Sequence, residues 1–495
     1  MASEPIRLVD HHEVQREHVV GEAGLASVRY TALSYCWGDK YQALQQPLTT
    51  RDNIQDRLAG IPDSQLSSVL RDAVLATRLL SIRYLWVDSL CILQGDQRDW
   101  EQQSTKMEEI YRSAYVTIAT PASVSCQQGF RHCTRGKLYL SLRSQLSPIN
   151  NGIFSLQHAD GAFGHNDHWS HVDDHYANVW KSHWASRGWT FQEWILSSRL
   201  LVFGPTDVVF DCDESTYFQC GYDKEPMGIR MSRVLSTNDW HYMMCNYSKR
   251  HRGFSRPSDV LPAFSGTAAR FGREMRYSEH DYAAGLWKQS LFIDLAWSME
   301  GDGPLKRRGL VDLLGHLESP TTYSLPSWTC LGKGPVDFNV DAFDKSSLVS
   351  RCTTEAWTTL KGDNPFGEVK AGTVRLTGPV AELESDLKPS KYVPPRSTKS
   401  WELKNKDGHP WKFRLDWDPL ADTIFPGQLR MVVTGAGKLY WTQHWGNFGI
   451  LVHETGASGT FYRVGSFVFD PTDTRPQHPE EEFLARCETR TIDII

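Results

Sequence analysis

Seven residues that could bind or transform a ligand stand where predicted strands end or a predicted helix begins. They form three groups along the chain: Ser34, Trp37 and Gly38; Asp88, Cys91 and Gln94; and Glu193. A carboxylate can stabilise an oxocarbenium-like state or orient water, as in glycoside hydrolysis, and aromatic walls can stack on a planar ring. Ligand sites of open α/β sheets lie at the carboxyl ends of the strands, so we expect the three groups to meet in one pocket.

The carboxylates and aromatic residues of this predicted pocket also have structural interpretations. Thr190 and Glu193 have the spacing of a capping box, in which Glu193 would only satisfy backbone amides at a helix start. Trp37 and Trp189 would fit equally well as core aromatics. Asp88 could be a buried acceptor of hydrogen bonds from the Trp37 loop. The residue types alone do not decide between these roles.

Ten cysteines are scattered along the chain, and none forms a CxxC pair. Their number is too small for a disulfide scaffold, and their spacing indicates neither a structural zinc site nor a thioredoxin-type pair. Cys91 lies in an apolar run, and no sequence neighbour would activate its thiol. Cys91 could therefore be a reduced thiol packed in the core instead of a residue that contacts a ligand.

The elements that must position these residues alternate between strand and helix. Continuous apolar runs predict buried strands at 30–35, 84–87 and 116–119, and helical spacing of apolar residues predicts a helix over 64–82 and another from about Asp99. This order favours a mainly parallel sheet covered by helices. A helix start at 187–193 and strands at 200–203 and 208–210 continue the pattern.

Three regions are predicted for the chain as a whole. An α/β domain spans 1–225, with an irregular insertion rich in His and Asp at about 130–182. A mainly helical region follows at 226–365. Alternating apolar residues then predict a small antiparallel β domain at 366–495, in which Gly435, Ala436 and Gly437 would form a turn.

Charge and hydropathy exclude several classes of protein. The formal net charge is −6, from 53 basic and 59 acidic residues, so no basic surface for nucleic acid is expected. The first residues are polar and lack the apolar core of a signal peptide. No stretch approaches the roughly 20 apolar residues that span a bilayer. These features predict a soluble cytoplasmic protein that binds neither nucleic acid nor membrane.

Three segments occur in an order that resembles one family. They read YTALSYCWG at 30–38, YLWVDSLCILQ at 84–94 and RGWTFQE at 187–193. Further matching positions are Asp99, Trp100, Met107, Ile110, Tyr111 and Ala114 after the second segment, and Leu196, Ser197 and Arg199 after the third. Together the segments resemble the motifs of the fungal heterokaryon incompatibility (HET) domain.

The resemblance implies a fold and an activity. HET proteins trigger cell death when genetically unlike fungal cells fuse. Their α/β domain is similar to TIR domains, some of which cleave the nicotinamide–ribose bond of NAD. For this chain the resemblance implies a TIR-like N-terminal domain, NAD as a candidate substrate, and Asp88, Glu101 and Glu193 as catalytic candidates. The candidate NAD-contacting residues are Ser34, Trp37, Gly38, Cys91, Gln94, Arg187 and Trp189. Segments 256–266, 285–287 and 326–329 also resemble parts of long HET proteins.

One position departs from the family pattern. The second motif commonly has a glutamate three residues after its Asp-Trp tryptophan, and this chain has Gln103 there. Glutamine forms hydrogen bonds but cannot carry charge or act as a base. Glu101 is close in sequence, although it lies on another helical face and would also suit the first turn of a helix dipole.

The insertion contains a second candidate site. His168, His171 and His175 have a spacing that would align them on one helix face, and several Asp residues are nearby. Histidine and aspartate are ligands for zinc and other divalent ions. The alternative is a polar surface loop, which Gly161 and Gly164 favour.

Three functional hypotheses follow. The first is a HET-type effector of recognition and cell death that hydrolyses NAD. The second is a non-catalytic signalling module that acts through self-association or a protein partner. The third is a HET-like enzyme of fungal secondary metabolism, which Gln103 and the histidine-rich insertion favour. Release of nicotinamide from NAD separates the first from the others.

Overall fold

The structure is a computed structural model of the 495-residue chain. The chain divides into two compact units, Met1–Arg233 and Val234–Ile495. The predicted boundary near 225 and the further one near 365 stay predictions. The structure describes residues 7–11, 16–19, 28–131, 138–143, 151–156, 179–205, 207–219, 223–224, 236–250, 253–254, 256–299, 309–318, 325–338, 342–383, 401–404, 410–418, 429–440, 444–469 and 479–495.

The N-terminal unit contains a nine-stranded mixed sheet and a separate hairpin. Its described strands are β1 (Arg7–Asp10), β2 (Arg16–Val19), β3 (Tyr30–Ser34), β4 (Tyr84–Trp86), β5 (Val116–Ala119), β6 (Leu138–Arg143), β7 (Asn151–Leu156), β8 (Arg199–Phe203), β9 (Val208–Cys212), β10 (Thr216–Phe218) and β11 (Asp223–Lys224). The sheet order is β11-β10-β9-β8-β5-β3-β4-β1-β2, and among the described strands β6 pairs with β7 alone.

The four central strands of this sheet, β8-β5-β3-β4, are parallel. The three predicted strands at its centre are confirmed, and β3 and β5 are buried along their whole length. The outer strands are antiparallel, so the sheet is mixed rather than mainly parallel. The physical reason at one edge is that short links join β8, β9 and β10, and such links permit only antiparallel hairpins.

The described helices of this unit are α1 (Lys40–Ala43), α2 (Ile54–Ala59), α3 (Ser68–Leu79), α4 (Asp88–Cys91), α5 (Gln97–Thr105), α6 (Met107–Ser113), α7 (His183–Ser186) and α8 (Trp189–Ile195). Helix α3 is shorter than the predicted 64–82 because Ser67 is its N-cap and Ser81, just beyond its end, has a positive φ of 56°. The helix predicted from Asp99 is two helices, since Lys106 ends α5 and precedes α6.

The order of the parallel strands locates a crevice at the carboxyl end of β3. The chain passes from β3 to β4 on one side of β3, and then from β4 to β5 on the other side. Parallel crossovers are right-handed, so these two connections cover opposite faces of the sheet. Such a reversal is the topological switch point at which open α/β sheets bind ligands. Ser34 is the last residue of β3 and therefore lies at this point.

The second unit combines helices with a set of strands whose pairing closes into a ring. Its described helices are α9 (Thr237–Ser248), α10 (Pro262–Met275), α11 (Leu291–Asp294), α12 (Leu310–Glu318) and α13 (Pro479–Arg486). Its described strands are β12 (Tyr282–Ala283), β13 (Leu286–Trp287), β14 (Trp297–Met299), β15 (Val336–Phe338), β16 (Val349–Ser350), β17 (Thr353–Leu360), β18 (Val369–Glu382), β19 (Trp401–Lys404), β20 (Pro410–Leu415), β21 (Leu429–Lys438), β22 (Trp445–Glu454), β23 (Thr460–Phe469) and β24 (Glu488–Ile494).

Strand pairing closes a ring in the order β21-β22-β23-β24-β18 and back to β21. All of these pairs are antiparallel except β23–β24. The predicted turn at Gly435 to Gly437 is wrong, because β21 continues through these residues with a register shift after Val433. A Cβ atom on Gly435 would lie 2.3 Å from the Phe448 ring, so this glycine permits close packing inside a strand.

The segments at 256–266, 285–287 and 326–329 all contribute to the core of the second unit. The Trp240 indole donates to the carbonyl of Gly285 over 3.2 Å and packs edge-on against Trp287. The Thr329 hydroxyl donates to the Ala284 carbonyl over 2.6 Å. Phe264 packs against Trp240 at a ring distance of 5.2 Å. Packing in the core of the second unit therefore accounts for these three segments.

Candidate functional site

A buried hydrogen-bond chain joins the end of β3 to helix α8. The Trp184 indole donates to Ser34 Oγ over 2.8 Å, and the Ser34 hydroxyl donates to Glu193 Oε2. An indole N–H can only donate, so the Ser34 oxygen accepts from Trp184 and the single hydroxyl proton of Ser34 is donated to Glu193. Ser34 and Trp184 are almost fully buried, and Glu193 is 8% exposed. The first and third predicted groups therefore meet at the switch point.

Glu193 does not cap its helix, so the capping-box interpretation is wrong. Helix α8 has Gly188 at its N-cap, and no side chain caps it. Gly188 itself has helical angles, φ −63° and ψ −47°, whereas a side-chain cap requires an extended residue. The Thr190 hydroxyl donates instead to the carbonyls of Trp184 and Arg187, over 2.7 and 2.9 Å. The Glu193 carboxylate is thus available to the Ser34 hydroxyl.

Asp88 forms the second half of the site and begins α4, directly beyond β4. The Trp37 indole donates to Asp88 Oδ2 over 2.9 Å, and the Ser89 amide donates to Oδ1 over 2.7 Å. Desolvation raises the pKa of the Asp88 carboxyl above its usual range, although Arg187 and the two donors oppose the shift. An acid of this kind keeps its proton to a higher pH than an exposed aspartate. The bond from the Trp37 loop agrees with the structural alternative proposed for Asp88.

Arg187 supplies a positive charge near Asp88. Its guanidinium donates to the Tyr35 carbonyl over 2.8 Å and acts electrostatically on Asp88 and on Cys36. Burial raises the pKa of the Cys36 thiol to about 11, with Arg187 opposing the shift. Cys36 is therefore a neutral thiol at physiological pH, and the Arg187 charge acts on the Asp88 carboxylate.

The other predicted ligand contacts occupy structural positions around this centre. The Gln94 amide donates to the carbonyls of Asp88 and Ile92, over 3.0 and 3.1 Å. Cys91 is fully buried, and its sulfur accepts from the Val87 amide. Gly38 has a φ of 89°, and a Cβ there would lie 2.6 Å from that of Ser125. These residues shape the loops that carry Trp37 and Asp88.

Glu101 is an exposed residue on the surface of helix α5. Its side chain is exposed and accepts from Gln97, four residues earlier on α5, over 2.7 Å. The described hydrogen bonds and ion pairs do not connect it with Ser34, Asp88 or Glu193. Glu101 therefore has the geometry of a solvated helix-surface residue.

Trp37 and Trp189 are both half-buried, so neither is a fully enclosed core residue. Trp189 makes an edge contact with Trp100, with ring centroids 5.9 Å apart. Trp184 is the residue that sequence reasoning missed. It lies three positions before Arg187 and follows Ser182, whose hydroxyl accepts from the Ala185 amide as the N-cap of α7. The sequence feature that could have identified Trp184 is its position two residues after the N-cap Ser182, shortly before the third motif.

The predicted metal ligands His168, His171 and His175 lie outside the described residues, so that site stays a prediction. Within the part of the chain that the structure describes, no group of three His, Cys, Asp or Glu residues could hold a metal ion. Across the same residues, no helix is both long enough and apolar enough to cross a bilayer.

Comparison with known proteins identifies the domain that carries this site. Residues 30–193 match the family model "Heterokaryon incompatibility protein (HET)". The chain is also 33% identical over 95 residues to "Heterokaryon incompatibility protein 6, OR allele" of Neurospora crassa, an alignment that covers 18% of this chain and 14% of that relative. No solved structure matches significantly. The family match begins at the first residue of β3 and ends at Glu193, and so the chain carries a HET domain.

Proposed function

We propose that the HET domain hydrolyses NAD at the Ser34–Glu193 site, and that the chain acts as a cytoplasmic effector of heterokaryon incompatibility and regulated cell death. One observation carries the proposal: a carboxylate is held by a serine hydroxyl at the topological switch point of a parallel sheet. The incompatibility role rests on the family match and on the name of the Neurospora crassa relative. A TIR-like domain is part of the proposal, supported by the alternation of parallel strands and helices.

The chemistry assigns each group a role. The bond between the nicotinamide nitrogen and the ribose carbon breaks, and its electron pair leaves with nicotinamide. The negative charge of Glu193 stabilises the oxocarbenium-like carbon that remains. Water then adds to this carbon and loses its proton, so that NAD and water give nicotinamide, ADP-ribose and a proton. Ser34 and Trp184 hold the carboxylate in place.

Arg187 and Asp88 suit the polar part of the same substrate. Arg187 can pair with a phosphate, because a guanidinium presents several donors in a fixed plane. Asp88, fixed by the Trp37 indole and the Ser89 amide, can accept from a ribose hydroxyl on the side of β4. The half-buried Trp37 ring provides a flat surface beside it.

The test is to incubate the purified full-length chain with NAD and to separate the products by chromatography. We expect nicotinamide and ADP-ribose in equal amounts, with the Glu101→Gln variant as active as the wild type because Glu101 is exposed and accepts from Gln97 on its own helix. NAD that stays intact would contradict the proposal and favour the non-catalytic signalling module. Expression in a fungal host should lower viability only if the Ser34–Glu193 pair is intact.

A further inference from the structure

Two buried glutamines of the N-terminal unit have no hydrogen-bond partner among the described residues. Gln103 on α5 and Gln192 on α8 are both 0% exposed. The amide oxygen and the amide nitrogen of each are unpartnered. Buried amides are almost always paired in folded proteins, since an unmade hydrogen bond is unfavourable. Two complete amides without partners therefore point to a polar group that comes from outside the chain.

The fold brings these two amides to one seam, which is the interface between helices α5 and α8. Both α5 and α8 belong to crossovers between parallel strands, so both run antiparallel to the strands and parallel to one another. Their first contact is the edge-on pair Trp100–Trp189, and further along α6 packs against α8. Gln103 and Gln192 each follow the tryptophan of their helix by three residues, and residues three apart share a helix face. This matched spacing from the contacting tryptophans predicts that both amides face the same seam, one turn beyond the indole pair.

We propose that Gln103 and Gln192 form a subsite for a primary carboxamide, which in the NAD substrate is the carboxamide of the nicotinamide ring. A glutamine amide offers one acceptor and two donors, and so does a primary carboxamide, so that the two can pair through reciprocal N–H···O bonds. The planar ring that bears the group would lie against the half-buried Trp189 indole, beside its edge-on contact with Trp100. Gln192 directly precedes Glu193, so the carboxamide subsite would lie within one helical turn of the carboxylate. This assignment rests on the proposed NAD activity for the identity of the ring.

The proposal also gives a role to the departure from the family pattern at Gln103. A glutamate in this fully buried position would bring a charge into the seam, whereas an amide offers a neutral donor and acceptor. Trp100 and Trp189 are only half-buried, so the indole pair lies where the seam meets solvent. A glutamine here is then a specificity element, and the carboxylate function stays with Glu193.

Binding of small probes to the full-length wild-type chain tests the subsite without turnover. Nicotinamide is compared with 3-acetylpyridine, which keeps the carbonyl and replaces the amide NH2 by a methyl group, using saturation-transfer NMR titrations. We expect nicotinamide to bind about tenfold more tightly or better, because a site built for a donor rejects an analogue that lacks it. Equal affinity for the two probes would overturn the proposal.

The variants Gln103→Leu and Gln192→Leu provide the second test, with Gln97→Leu as the matched control on the exposed side of α5. We expect each buried substitution to weaken nicotinamide binding about tenfold and to leave the melting temperature unchanged or higher, since an unpaired amide is removed. Gln97→Leu should change neither quantity. A clear fall in melting temperature with unchanged nicotinamide binding would show that the two amides stabilise the fold and do not bind the ligand, and would overturn the proposal.

The outcomes separate this subsite from the proposed reaction. If the wild type releases nicotinamide from NAD and both leucine variants bind it normally, the subsite is wrong and the activity stands. If the wild type binds nicotinamide through the two glutamines but leaves NAD intact, the subsite stands and the reaction is wrong. Should a leucine variant fail to fold, the comparison of the two probes on the wild type still decides.

Discussion

The Ser34 hydroxyl donates to the Glu193 carboxylate although the two residues are separated by 159 positions in sequence. Ser34 also accepts from Trp184, so one oxygen connects β3 with α7 and α8. Ser34→Ala removes both bonds and leaves a buried carboxylate and a buried indole without this partner. We expect a loss of about 1–3 kcal/mol in the free energy of unfolding and a strong fall in nicotinamide release. Urea denaturation and product chromatography measure the two effects.

Ser186→Ala is the control for this prediction. Ser186 lies on the same stretch of chain, four residues before Thr190. It is exposed, and its hydroxyl donates to the His183 carbonyl. Its loss should change stability by less than about 0.5 kcal/mol. Equal behaviour of the two alanine variants would contradict the role given to Ser34.

His11 makes the stability of the N-terminal unit depend on pH. It is 2% exposed, and both ring nitrogens lack hydrogen-bond partners among the described residues. Burial, together with Arg78, lowers the pKa of His11 below 6.5, so the fold favours the neutral ring. The unfolded chain then binds more protons below pH 6.5, and stability falls as the pH drops through that value, by at most about 1.4 kcal/mol per pH unit.

The variant His11→Leu should flatten this dependence between pH 6.5 and 5, because the titrating group is gone. Denaturation curves of both proteins across that range check the prediction. A wild-type protein that is as stable at pH 5 as at pH 7 would contradict it.

Two helical glycines of the second unit should respond oppositely to alanine. A Cβ on Gly272 in α10 would lie 2.7 Å from the Trp287 ring, whereas a Cβ on Gly315 in α12 meets nothing within 4 Å. We expect Gly272→Ala to destabilise by about 1–3 kcal/mol through overpacking. Gly315→Ala should stabilise by about 0.5–1 kcal/mol, because alanine favours the helix. Chemical denaturation of the two variants is the measurement, and a stabilising Gly272→Ala would refute the close packing.

Local sequence patterns predicted the central strands of the first sheet because β3 and β5 are continuous apolar runs. They also named Ser34 and Glu193, although nothing local shows that the two residues meet. The capping box failed because spacing does not reveal that Gly188 is already helical. The break at Lys106 was missed since the apolar period continues from α5 into α6.

The unpaired state of Gln103 and Gln192 could not be read from sequence either. A glutamine in a helix is usually solvated, whereas Gln103 and Gln192 are both fully buried by tertiary packing. Tertiary contacts of this kind decide which polar residues form a site. Residue types and spacing supply the candidates.

The most direct measurement is nicotinamide release from NAD by the wild type and by Glu193→Gln under identical conditions. Glutamine keeps the volume of the side chain and can still accept from Ser34, but it carries no charge to stabilise an oxocarbenium-like state. We expect release by the wild type, loss of release in the variant, and a change of no more than about 1 kcal/mol in stability. A variant that releases nicotinamide at the wild-type rate would contradict the assignment of Glu193 as the catalytic carboxylate.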